Sequence, residues 1–392
     1  MSEHILYLKK NKSGLIHSRH PWIFDGALDM KRSGEVPAGV ARLVTADGRT
    51  AAVGTYNPRS ALAFRVLDRT ERSVDASFFE ERFEAARALR AAVLDDGTTG
   101  FRMINSEGDG LPGLIADVFD GHWTVQVGTP AVDALTPLWL GTIEKVFDPK
   151  SVTRKDSQSV ANREHMTAVS EVLLGEPPEI VRFKEAGIAF EAALLPGQKT
   201  GFFFDQRDNR VKAASFSCGL RMFDGYAYTG GFGAHALASG ATSVLGVESS
   251  KPACEMMLRN YALNADAKEC CEVVQGDCVR FLKETDRQFD IVVLDPPALA
   301  KRRHHLPQAG KLYRDIFASG MARIAPKGGF LCAYTCSAAV DGGTLLEILR
   351  TAATSVSRST QVLHLGGAGA DHPTALHHPE GDYLKSAILR IV

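Results

Sequence analysis

Between Met222 and Tyr334 short apolar runs alternate with helical segments, and four of these runs in succession end at or beside an acid. They are Met222-Phe223-Asp224, Val244-Leu245-Gly246-Val247-Glu248, Cys271-Glu272-Val273-Val274 before Gly276-Asp277, and Asp290-Ile291-Val292-Val293-Leu294-Asp295. A fifth run, Gly329-Phe330-Leu331-Cys332-Ala333-Tyr334, follows, and helices open near Gly233 and Pro252. Strand and helix alternating over this length imply a doubly wound α/β sheet. Ligands of such sheets lie beyond the carboxyl ends of the strands, at the point where strand order reverses. The acids fall at those ends.

The 392 residues are too many for one ordinary core. Residues 1–72 read as a small β-rich domain. Val40-Ala41-Arg42-Leu43-Val44 and Ala51-Ala52-Val53-Gly54-Thr55-Tyr56 flank the hairpin signal Asp47-Gly48, and Leu62 to Leu67 is a further strand. Residues 73–180 read as a mixed α+β domain. It opens on a helix from near Ser77, with Phe79, Phe83, Ala86, Leu89 and Val93 at helical spacing, and closes on the linker Glu176-Pro177-Pro178. Residues 181–392 form the doubly wound domain, entered through a hairpin that turns at Ala186-Gly187.

No apolar run reaches eighteen residues, and the N-terminus lacks the basic-then-apolar layout of a signal peptide, so a cytoplasmic location is expected. All seven cysteines lie at or after Cys218, without a Cys-x-x-Cys pair. That pattern argues against a disulfide framework and against structural zinc, and no metal is expected. Cys270-Cys271 reads as buried filler at the start of a strand. The net charge of -1 exerts no bulk pull on nucleic acid. The cluster Lys9, Lys10, Lys12, His17, Arg19 and His20 is the local exception, and a merely solvated face explains it equally well.

Gly225, Gly230, Gly231 and Gly233 cluster after the first strand of the doubly wound domain, where backbone must approach a ligand closely. Their spacing misses G-x-G-x-x-G, which argues against a dinucleotide phosphate turn. Glu248, about twenty residues on, is placed to accept ribose hydroxyls. Asp277 is expected near an adenine and Asp295 near the reactive end. Four acids would repel a pyrophosphate but suit a cationic, ribose-bearing ligand, and S-adenosylmethionine fits that description. In Asp295-Pro296-Pro297 the prolines stiffen the loop and leave neighbouring carbonyls available to a substrate.

Cys336 follows the strand ending Ala333-Tyr334-Thr335, which puts it at the same sheet edge as Asp295. A thiolate there could add to C6 of a cytosine and make C5 nucleophilic towards a methyl group. From position alone, a buried structural cysteine is an equally good reading. A base in folded RNA must leave its stack first, and Tyr313, Leu299 and Tyr334 are candidates to hold it.

Several longer segments carry a resemblance. They are Arg19-His20-Pro21-Trp22-Ile23-Phe24, Glu107-Gly108-Asp109-Gly110-Leu111-Pro112-Gly113-Leu114, Thr200-Gly201-Phe202-Phe203-Phe204-Asp205-Gln206-Arg207, Tyr228-Thr229-Gly230-Gly231-Phe232, Ala370-Asp371-His372-Pro373, and Pro379 to Lys385. Over essentially its whole length the chain resembles the ribosomal RNA large subunit methyltransferase I family. These are class I cytosine-5 methyltransferases with an N-terminal PUA domain. The resemblance implies that Asp205, Gln206 and Arg207 border the cofactor or target. It implies that Tyr228, Gly230, Phe232, Glu248, Asp277 and Asp295 line the S-adenosylmethionine site, with Pro296 counted beside them. It places Cys336 on the family's catalytic cysteine, with Asp295 contacting the base. It makes residues 1–72 PUA-like and RNA-binding, with Lys9, Lys12, Arg19, His20 and Trp22 as the contacts. It makes large-subunit ribosomal RNA the partner and a homodimer the assembly, and it reads the last two segments as the final strands. Ala298 after the prolines, and Ala338-Ala339 after Ser337, depart from the family pattern near the target base. The rival readings are methylation of another base or of an exocyclic amine, a catalytically silent RNA-binding relative and, more remotely, a nicotinamide oxidoreductase.

Overall fold

The computed structural model describes residues 4–194, 201–265, 270–300 and 303–392. Thr200, which opens one of the segments above, lies outside them. Contacts divide the chain into two units: residues 1–181, 193–202 and 370–381, and residues 182–192, 203–369 and 382–392.

The first unit holds two five-stranded sheets. One comprises β1 (His4–Tyr7), β2 (Trp22–Ile23), β3 (Gly39–Val44), β4 (Thr50–Tyr56) and β5 (Phe64–Asp68), in the order β1-β3-β4-β5-β2. Leu6, Ile23, Ala41, Leu43, Tyr56 and Phe64 form its core. The other comprises β6 (Gly100–Asn105), β7 (Leu114–Phe119), β8 (His122–Val127), β9 (Ser151–Lys155) and β10 (Ser170–Gly175), in consecutive order. The helices Ala76–Val93 and Thr136–Phe147 contribute Phe79, Phe83, Trp139 and Ile143 to the core of this second sheet.

The helix expected near Ser77 is capped by Asp75, which accepts the amide of Phe78. Its buried stripe leaves the sequence expectation at the far end. Val93 is exposed and Arg90 is buried, because Arg90 keeps phase with Phe79, Phe83 and Ala86. The Arg90 guanidinium meets both Asp109 oxygens, at 2.5 and 2.8 Å, and donates to the Asp371 carbonyl at 2.7 Å.

A second correction concerns residues 370–384, expected as part of the last strands. They form an irregular loop with one short 3-10 turn at Pro379–Gly381, and only Lys385 enters a strand. Proline cannot supply ladder donors, and the loop is held by bonds to residues far away in sequence instead. The amide of Arg102 donates to Asp371 Oδ2 at 2.9 Å, and Asn105 Nδ2 donates to the Pro373 carbonyl at 3.0 Å. A Cβ on Gly108 would lie 1.8 Å from that carbonyl, which explains the glycine in Glu107-Gly108-Asp109.

β11 (Ile180–Glu185) and β12 (Ile188–Ala193), of which residues 182–192 belong to the second unit, form the expected hairpin. Ala186 and Gly187 both have positive φ, at 49° and 79°, as a two-residue type I′ turn requires. The main sheet has seven strands: β13 (Arg221–Gly225), β14 (Ser243–Glu248), β15 (Cys271–Gln275), β16 (Ile291–Leu294), β17 (Gly329–Thr335), β18 (Thr360–Gly366) and β19 (Lys385–Ile391). Their order is β15-β14-β13-β16-β17-β19-β18, and β19 runs antiparallel to both neighbours. The order reverses between β13 and β16, so the switch point lies between those strands. Ile291 to Leu294 are all fully buried, as the continuous apolar run predicts. Cys270 and Cys271 are half-buried rather than filled into the core, and no disulfide is formed among the described residues. No described helix is long and apolar enough to cross a membrane.

Candidate active site

Register places the acids. Gly225 pairs with Val247 on one side and Leu294 on the other, and Leu294 pairs with Ala333. Asp224 therefore lies just below this rim, while Glu248 and Asp295 stand one residue above it. Cys336, half-buried, lies three residues past Ala333, in the turn that leaves β17. Adjacent strands are about 4.8 Å apart, so the Asp295 loop and the Cys336 turn leave the sheet side by side.

The glycine turn is shaped by what lies behind it. Tyr226 and Tyr228 hold positive φ, at 59° and 49°, and Gly230 at 80° starts the helix Gly231–Ala238. A Cβ on Gly230 would meet Met257 Cγ at 2.6 Å, one on Gly231 would meet Arg210 Nε at 2.5 Å, and one on Gly233 would meet Tyr261 Oη at 2.2 Å. These glycines are needed for packing behind the turn as much as for exposure in front of it. Phe232 is buried and tilts against Tyr334, and Phe203 stacks edge-on to Tyr228.

Each acid has a distinct environment. Glu248 Oε2 accepts the amide of Tyr228 at 3.1 Å, and Oε1 accepts that of Ser250 at 2.8 Å, which ties the turn to the end of β14. Asp277 is exposed and caps the helix Cys278–Glu284, accepting the amide of Arg280 at 2.7 Å. Asp295 Oδ2 accepts Gln206 Nε2 at 2.9 Å, and Gln206 Oε1 accepts Asn209 Nδ2 at 2.7 Å. Asp205 accepts the Tyr383 hydroxyl at 2.6 Å, and Arg207 is buried with its Nε on Asp208. Pro296 is buried beside Asp295 and Pro297 is exposed. Asp205, Gln206, Arg207, Tyr228, Gly230, Phe232, Glu248, Asp277, Asp295, Pro296 and Cys336 thus all belong to the second unit.

Asp224 is the unusual one. It is buried, Oδ2 accepts the Gly233 amide at 3.0 Å, and Oδ1 has no partner among the described residues. Burial pushes its carboxyl up to about 8. The neighbouring Asp295 and Glu248 push the same way, against the Gly233 amide and Arg210. A cationic ligand would relieve the crowding of these acids. The residues present therefore fit S-adenosylmethionine.

Three expectations change here. Tyr313 and Tyr334 are fully buried and present no ring to a base, while Leu299 is half-buried. The Pro297 carbonyl is already approached by the Tyr313 hydroxyl at 3.4 Å. The sequence reading also missed Glu185, which is fully buried. Both its oxygens meet Arg210 Nη1, at 2.6 and 2.7 Å, and His235 Nε2 lies 3.0 Å from Oε1. The signal was available, since Glu185 shares a strand face with the buried Val181 and Phe183.

In the first unit Lys9, Lys12 and Arg19 are exposed. His20 and Trp22 are half-buried and engaged: His20 Nε2 meets Glu380 at 3.0 Å, and the Trp22 indole donates to Glu107 at 2.7 Å.

The fold and the crevice are those of S-adenosylmethionine-dependent methyltransferases, whose family model matches residues 136–364. A PUA-like domain is matched at residues 6–69. Two solved structures share the whole architecture at 18% identity. A candidate S-adenosylmethionine-dependent methyltransferase from Streptococcus mutans superposes with a TM-score of 0.82, covering 98% of this chain and 99% of that one. SMU.776, a candidate methyltransferase solved with S-adenosylhomocysteine, reaches 0.83 with both chains fully covered. Ribosomal RNA large subunit methyltransferase I of Photobacterium profundum is 34% identical over 388 residues, 97% of each chain. The chain belongs to the ribosomal RNA large subunit methyltransferase I family.

The raised value of Asp224 predicts that cofactor binding is proton-linked. Its raised value means that the carboxyl holds its proton below about pH 8. A sulfonium cation favours the ionised form, so binding at neutral pH releases part of a proton. Affinity is expected to rise with pH towards about 8 and then level off. Calorimetry in buffers of different ionisation enthalpy checks this, and identical heats in all buffers would contradict it.

Proposed function

We propose that this chain methylates C5 of a cytosine in large-subunit ribosomal RNA, with Cys336 as the covalent nucleophile. The observation that carries the reading is a half-buried cysteine leaving β17 beside the Asp295 loop that leaves β16. The names of the full-length relatives support ribosomal RNA as the substrate.

When bound, S-adenosylmethionine supplies an electrophilic methyl group. The Cys336 thiolate adds to C6 of the base, which makes C5 nucleophilic enough to take that methyl. A base then removes the C5 proton, the C6–S bond breaks, and the thiolate is restored. Asp295 contacts the target ring at its N3 edge, held by Gln206. Glu248 accepts ribose hydroxyls, and Asp277 lies on the adenine side. Tyr228, Gly230, Phe232 and Pro296 line the cofactor site, with Asp205, Gln206 and Arg207 at its border. Lys9, Lys12, Arg19, His20 and Trp22 contact RNA from the PUA-like domain. The domain division at residues 72 and 180, a cytoplasmic location and a homodimer belong to the same proposal.

The test is nucleoside mass spectrometry of large-subunit ribosomal RNA after incubation with the protein and S-adenosylmethionine. The expected product is 5-methylcytidine. An N-methylated nucleoside would reveal exocyclic amine chemistry, and an unmodified RNA with cofactor bound would reveal a silent relative; either result overturns the proposal. Ala298 carries no ring to stack on a base, which weighs against the amine route.

A further inference from the structure

The hydroxyl of Tyr313, on the helix Leu306–Ala322, is buried where the two loops of the site meet. It accepts the Thr335 hydroxyl at 2.9 Å and the Leu299 amide at 3.2 Å. It lies 2.7 Å from Ser337 Oγ, which in turn accepts the Ala300 amide at 2.9 Å. The Ser337 amide donates to Thr335 Oγ1 at 3.2 Å. Thr335 and Ser337 are both fully buried and flank Cys336 in sequence. Leu299 and Ala300 follow closely on Asp295-Pro296-Pro297.

A tyrosine hydroxyl has one proton to give and two lone pairs. With Thr335 and Leu299 donating, its proton goes to Ser337 Oγ at 2.7 Å or to the Pro297 carbonyl at 3.4 Å. One phenol oxygen thereby joins the turn that carries Cys336 to the loop that carries Asp295. Buried hydrogen-bond networks of this kind restrict the groups that they join to few geometries. Reacting groups displaced by about 1 Å lose up to about a hundredfold in rate.

We propose that Tyr313 is a positioning residue for methyl transfer, its hydroxyl setting the Cys336 turn and the Asp295 loop in register. The proposal rests on the nucleophile role given to Cys336 above. Tyr313 touches neither substrate nor cofactor, so its loss should appear in turnover rather than in cofactor binding.

The experiment compares Tyr313→Phe, Thr335→Val and Cys336→Ala in the full chain, measuring kcat, the KM for S-adenosylmethionine and cofactor affinity by calorimetry. Tyr313→Phe and Thr335→Val are each expected to lower kcat by about 10- to 100-fold, with KM and affinity within about twofold. Thr335→Val keeps its shape while removing the bond to the phenol and the acceptor of the Ser337 amide, and it carries the same test should Tyr313→Phe fail to fold. A kcat within about threefold of wild type, or losses of kcat and affinity in parallel, would overturn the proposal. Cys336→Ala separates the two levels. If that variant is active, the nucleophile role fails; if it is inactive while Tyr313→Phe turns over normally, only the positioning role fails.

Discussion

Replacing Cys336 by alanine is expected to lower methyl transfer to large-subunit ribosomal RNA at least about a thousandfold, a barrier increase of about 4 kcal/mol. Without a thiolate at C6, the C5 carbon of cytosine is a poor nucleophile. Cofactor affinity should stay within about twofold, because the residues proposed to hold S-adenosylmethionine lie on other loops. Stability should change by about 1 kcal/mol or less, since Cys336 is only half-buried. Single-turnover transfer and calorimetry on the same preparation separate these effects. Activity within about tenfold of wild type would rule out the covalent route.

The second large effect is structural. Glu185→Ala removes the carboxylate that meets Arg210 and His235, in a cluster where no member is more than 4% exposed. Breaking a buried pair from one side strands the other charge and costs about 3–5 kcal/mol. For a domain of roughly 150–250 residues this is a fall in Tm of about 10 °C. The consequence reaches the cofactor turn. Arg210 also donates to the Phe203 carbonyl, and its Nε sits 2.5 Å from where a Cβ on Gly231 would be. An Arg210 released from Glu185 no longer supports that turn, so S-adenosylmethionine should bind at least about tenfold more weakly. Glu185→Gln keeps an acceptor and the packing, and should lose less on both counts. A thermal melt unchanged to within about 2 °C for Glu185→Ala would contradict this account.

The parts that were legible before the structure share a physical cause. β13, β14, β16 and β17 are covered on both faces, so their sequences are nearly continuous apolar runs and their ends are sharp. The crevice could be placed because strand ends in such a sheet are ligand sites by topology. β6 to β10 were not individually legible. β6 to β9 carry the half-buried Arg102 and the fully buried Asp117, Thr124 and Thr153, polar residues that hide the alternation on which a strand reading depends. Asp277 shows a different limit. An acid before a helix reads as a ligand group or as an N-cap, and it is the cap that the hydrogen bond to Arg280 displays. Tyr313 and Tyr334 looked like stacking residues because sequence proximity to the site says nothing about which way a ring turns. The polar node around Tyr313 joins residues up to 38 positions apart, Leu299 to Ser337, so no local pattern could announce it.

Carbon methylation at C5 has one consequence that no N-methylation shares: the C5 hydrogen must leave. Large-subunit ribosomal RNA carrying tritium at cytosine C5, incubated with the protein and S-adenosylmethionine, is predicted to release one tritium to water per methyl group incorporated. Cys336→Ala should abolish both signals together. Methyl incorporation without tritium release would contradict the proposed chemistry outright.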